Sequence, residues 1–87
     1  MHRPALRAAR RELVTAAGRT EGRVERCLHG QVIELTKLVV EGISDPERLD
    51  AHVEALEELV PDAGDGADHV ERAIARVREV RRAAEST

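Results

Sequence analysis

Residues 24–43 read VERCLHGQVIELTKLVVEGI. Val24, Leu28, Val32, Leu35, Val39 and Ile43 recur there at spacings of four and three. At about 100° per residue they share one helical face. Cys27 and Leu38 widen that face, while Ile33 and Val40 lie nearly opposite it. Arg26, Gly30, Glu34, Lys37 and Glu41 remain as a polar strip. A helix apolar on more than one side expects neighbours on more than one side. The stretch therefore reads as the central helix of an all-α assembly.

Upstream, Pro4 suits a first helical turn, where its missing N–H costs nothing. Leu6, Ala9, Leu13, Ala16 and Ala17 mark an apolar face flanked by Arg7, Arg10 and Arg11. Gly18 and Gly22 then pose a choice. Two glycines in a helix interior cost about 2 kcal/mol. Gly18 could end one helix, with Thr20 capping the next. Against this, Leu6, Leu13, Ala17, Val24, Leu28, Leu35 and Val39 stay in one stripe if the helix runs straight through. The unbroken phase favours one long helix from about residue 4 to 42, kinked or broken at residues 18–22.

Gly42 is expected to end that helix. Asp45 then offers a cap, Pro46 a first helical residue, and Ser44 to Glu47 the spacing of a capping box. Leu49, Val53, Leu56 and Val60 form the next stripe, with Leu59 beside it. Pro61 closes the segment, and residues 61–67 (PDAGDGA) read as a polar turn. Asp68 is the expected cap of a last helix carrying Val70, Ala73, Ile74, Val77, Val80 and Ala84, with the final residues 85–87 fraying. No strand pattern or repeat appears. The fold expected is a single all-α domain over residues 1–87: a helical bundle of one long helix and an antiparallel pair of shorter ones.

A helix over residues 4–42 would reach about 57 Å. Two short helices cannot cover its length, so part of its stripe needs another molecule, a second copy or a partner. The chain also has no Phe, Tyr or Trp, and aromatic rings are the largest contributors to core burial. Both points lead to an expected homodimer or other oligomer.

Residues 1–33 carry seven arginines against three acids, a net of +4; residues 34–71 carry twelve acids against Lys37 and Arg48, a net of −10; residues 72–87 return to +3. Such a chain can pack its basic ends along its acidic middle. Its single cysteine excludes an intramolecular disulfide. No apolar run reaches membrane-spanning length and none near the start has signal-peptide form. A cytoplasmic location is the expectation, and the excess of arginine over lysine suits a GC-rich bacterial genome.

Cys27 and His29 point in different directions on a helix, and His29 with Glu25 makes two groups where zinc needs three or four. Asp62, Asp65 and Asp68 fail the calcium-loop pattern, because glycines stand at its third and fifth positions. No phosphate loop or dinucleotide fingerprint occurs. No metal or cofactor is expected. Arginines at both ends allow a nucleic-acid reading, although no aromatic is present to stack on a base.

Arg26 and Lys37 are spaced as a helical Arg–Lys pair is in the all-helical chorismate mutases, and Asp45-Pro46-Glu47-Arg48 resembles the start of that family's second helix. The resemblance implies an intertwined dimer that holds a dicarboxylate, with Arg26, Lys37 and Arg48 as its binding groups. The sequence departs from that family where Leu49 and Ala9 replace an expected glutamate and arginine. No catalytic constellation accompanies these residues. The leading reading is therefore a small non-catalytic protein–protein interaction module. Its expected docking surface is the second face of the central helix, through Ile33 and Val40, rimmed by Lys37 and His29. A small enzyme for an anionic substrate and a nucleic-acid binder are the alternatives.

Overall fold

The computed structural model describes residues 3–41 and 45–85. Four helices account for nearly all of them: α1 Arg3–Gly18, α2 Gly22–Glu41, α3 Pro46–Leu59 and α4 Ala67–Glu85. No strand is present among the described residues. The all-α bundle expected from the periodicity is the observed fold.

The favoured single long helix is not observed. The chain breaks after Gly18 and restarts at Gly22, whose φ of +62° lies in the left-handed region. A side chain there is strained by about 1–2 kcal/mol, so Gly22 is the residue that permits the reversal. Thr20 does not cap α2. Its Oγ1 donates to Ala17 O at 3.0 Å, and Arg19 N–H donates to Ala16 O at 3.0 Å. Both bonds satisfy carbonyls that the end of α1 leaves open. The apolar phase survives the break because α1 and α2 each turn a leucine-rich stripe to the same core. Phase continuity therefore did not report helix continuity.

Each helix runs antiparallel to the next. Arg10 of α1 meets Thr36 of α2, Gln31 of α2 meets His52 of α3, and Asp50 of α3 meets Arg81 of α4. Helix α4 closes the ring on α1 through His69 and Glu12. This is an up-down-up-down bundle, with a longest dimension of 39 Å. That is too short for the 57 Å helix, and the stripe that helix would have left for another molecule is covered by α1 of the same chain.

The start of α3 follows the sequence signal. Asp45 is the cap and accepts from Glu47 N–H at 3.0 Å, with Pro46 in the first turn. Gly42, Ile43 and Ser44, and with them the expected helix end and the Ser44 half of a capping box, lie outside the described residues, as do residues 86–87. The polar turn after α3 is more ordered than expected. It forms two short 3-10 turns, Val60–Asp62 and Gly64–Gly66, with Ala63 buried. Asp68 lies inside the first turn of α4 rather than before it, where its charge still favours the positive helix end. Gly66 sits against α1: a Cβ there would lie 3.0 Å from Ala16 O. The turn needs glycine at that point because backbone approaches backbone.

The apolar core is built from Leu, Val, Ile and Ala, with His52 the buried polar side chain among the described residues. Leu6 and Leu13 of α1, Leu28, Leu35 and Leu38 of α2, Leu49 and Leu56 of α3, and Val70, Val77 and Val80 of α4 are its largest fully buried side chains. Val24, Cys27 and Val39 are half-buried against it. Cys27 thus acts as a small apolar filler.

Candidate functional site

Helix α2 has one face that the fold does not cover. Ile33 is 59% and Val40 73% exposed, and His29 and Lys37 are exposed beside them. The four expected docking residues share the outer side of the same helix. Seven residues separate Ile33 from Val40, about 10 Å along the axis.

The fold-back adds to this face something the sequence reading did not place there. Pro4, Arg7, Arg10 and Arg11 of α1 and Thr36 and Val39 of α2 line an open groove of about 550 Å³. Arg10 Nε donates across it to Thr36 Oγ1 at 3.0 Å, while that hydroxyl donates to Val32 O at 2.8 Å. Thr36 is one helical turn from both Ile33 and Val40, so the groove and the exposed apolar strip form one surface. Arg7, Arg10 and Arg11 stand at i, i+3 and i+4 on α1 and so share one face, which the hairpin sets beside Thr36 and Val39 of α2.

The ion pairs are distributed unevenly. Arg48 binds Glu34 at 3.0 Å and Glu41 at 3.2 Å; Arg78 binds Glu57 at 3.3 Å and Arg81 binds Asp50 at 2.9 Å. Arg72 and His69 face Glu12, the latter at 2.7 Å. The basic C-terminal part thus packs along the acidic middle, as the charge pattern anticipates. Arg7, Arg10 and Arg11 form no ion pair with any described residue. The groove is a concentration of uncompensated positive charge beside exposed apolar side chains.

Arg26, Lys37 and Arg48 do not line one common groove. Arg26 and Lys37 lie exposed on the outside of α2. Arg48 lies in the α2–α3 groove with Gln31, Glu34 and His52, a site lined by neither of the other two. The hydrogen bonds that Arg48 donates to Glu34 and then to Glu41 raise its pKa above its ordinary value. Its guanidinium is already occupied by carboxylates of its own chain.

His52 is the titratable group that sequence reading left unassigned. It is only 2% exposed. Its Nδ1 donates to Gln31 Oε1 at 2.8 Å, leaving Nε2 buried without a partner among the described residues. Burial lowers its pKa from 6.5 to about 4, against the opposing pull of Glu34. The ring is therefore a neutral part of the core. The only advance signal was its place at the edge of the α3 apolar stripe. Among the described residues no group of three or more His, Cys, Asp or Glu could hold a metal ion, and no helix is long and apolar enough to cross a membrane.

Fold and surface together define a small antiparallel four-helix bundle with a basic, partly apolar groove. The chain belongs to DUF7553, a family of unknown function, whose model matches residues 1–83. No curated protein and no solved structure matches the chain.

Proposed function

We propose that this protein is a non-catalytic interaction module that docks a protein partner on the outer face of α2, through Ile33 and Val40 with Lys37 and His29 at the rim. One observation carries the reading. The apolar residues of α2 are otherwise buried or half-buried, yet Ile33 and Val40 stand in solvent on a shared face. Interfaces have this anatomy, an apolar centre with a charged rim. Burying each side chain contributes about 1.5–3 kcal/mol. The internal pairing of Arg48 argues against the small-enzyme alternative.

The test is a photo-crosslinking residue placed in turn at Ile33, at Val40 and, as a control, at Glu54 on the outside of α3, in the native host. Discrete protein adducts are expected from the first two positions and not from the third. Adducts from Glu54 alone, or from no position, contradict the assignment. Ile33→Asp with Val40→Asp should abolish the adducts of a crosslinker at Lys37 while leaving the thermal melt within a few degrees, because neither side chain is in the core.

A further inference from the structure

We infer that the partner segment is an acidic amphipathic helix, seated with its apolar side on Ile33 and Val40 and its carboxylates on Arg7 and Arg11 of the adjoining groove. The inference rests on the docking role proposed for α2 and adds the chemistry of the occupant.

The groove and the strip are continuous through Thr36, so one ligand meets both. Three arginines line the groove side by side without an ion pair to the described residues, whereas Arg48 of α3 and the Arg72, Arg78 and Arg81 side chains of α4 face carboxylates. A ligand supplying carboxylates gives this groove the pairing that the chain supplies to itself along α3 and α4. Arginine suits that role because its planar fork can bind a carboxylate through two N–H groups. Arg10 is already held by Thr36, which leaves Arg7 and Arg11 as the groups for the ligand. The apolar component selects among anions. Pro4, Val39, Ile33 and Val40 present carbon surface to which a phosphate backbone brings no match. An amphipathic helix repeats apolar side chains at three, four and seven residues with acids beside them, and seven is the separation of Ile33 from Val40.

A second copy of this chain is a poorer occupant. Its acidic helix α3 exposes Glu47, Glu54, Glu57 and Glu58, but Leu49, Val53, Leu56 and Leu59 are buried in its own core. It would offer charge without an apolar side.

The probe is a fluorescent, end-capped peptide of about 18 residues, five helical turns, with leucines on one face flanked by glutamates. A second peptide has the same leucines flanked by lysines, and a duplex oligonucleotide serves as the third ligand. Anisotropy is measured with the full chain at low and at physiological salt. The glutamate peptide is expected to bind at least about tenfold more tightly than the lysine peptide and to weaken as salt rises. Arg7→Glu with Arg11→Glu, and separately Ile33→Asp with Val40→Asp, should each weaken it by about tenfold with the helical spectrum unchanged. Equal binding of the two peptides, or indifference to the arginine reversal, overturns the acidic assignment. The aspartate variant and the Ile33 crosslinks then show whether the docking face itself survives. Tighter binding of the oligonucleotide, lost on arginine reversal and untouched by the aspartate pair, overturns the inference in favour of a nucleic-acid surface. Failure of every ligand to bind overturns it as well, while adducts from Ile33 would still stand for a protein partner of other chemistry.

Discussion

Truncating Leu35 to alanine is expected to cost about 3–4 kcal/mol, within the range for a fully buried leucine whose cavity cannot collapse. Leu35 lies at the middle of α2 with no exposed surface, in a core of leucine, valine, isoleucine and alanine side chains drawn from all four helices. No aromatic ring is present to shift into the gap. A domain of this size has about 5–15 kcal/mol in total, so the loss should appear as a large fall in the urea midpoint. Ile33→Ala, two residues earlier on the same helix, should change stability by no more than about 0.5 kcal/mol, as for a surface position. Similar losses at the two positions would place Ile33 in a core and remove the basis for a docking face.

Acid should weaken the fold through His52 before most carboxylates titrate. Its pKa is about 4 folded and 6.5 as a free side chain, so the unfolded chain takes up the proton first. Stability from this group is complete above pH 6.5 and is lost as pH falls from there to about 4. The depression corresponds to roughly 3 kcal/mol. His52→Leu keeps the volume and removes the titration, and Gln31, only half-buried, can turn its amide to water. Denaturant unfolding between pH 7 and pH 4 should show a shallower decline in the leucine variant. Parallel curves would mean that His52 is protonated in the fold or solvated there.

The helical stripes were legible because each repeats at the helical period and each proved to face the core. The cap at Asp45 was legible because proline and aspartate act locally. The reversal at Gly18–Gly22 was legible only as the second choice to a continuous helix, because Gly22 adopts a left-handed backbone that its neighbours do not encode and because both flanking stripes share a phase. That one ambiguity set the reading of the surface. A continuous helix keeps Arg7 and Arg11 far from Val40 and calls for another molecule to cover the stripe. The hairpin covers the stripe itself and brings the arginines to the edge of the exposed apolar strip. Ile33 and Val40 could be seen as left over because they oppose the main face of α2. The neutral state of His52 depends on contacts with α2 across the bundle, which spacing along α3 cannot report.

The fold-back creates both the closed core and the docking face, so its direct measurement is the distance between Arg7 and Val40. Each is exposed, and each can be replaced by cysteine carrying a spin label in a Cys27→Ala background. Adjacent antiparallel helices lie about 8–10 Å apart, so the account predicts a distance below roughly 25 Å, labels included. A continuous helix would separate the two positions by about 50 Å at 1.5 Å per residue. A distribution centred near the longer value would contradict the account.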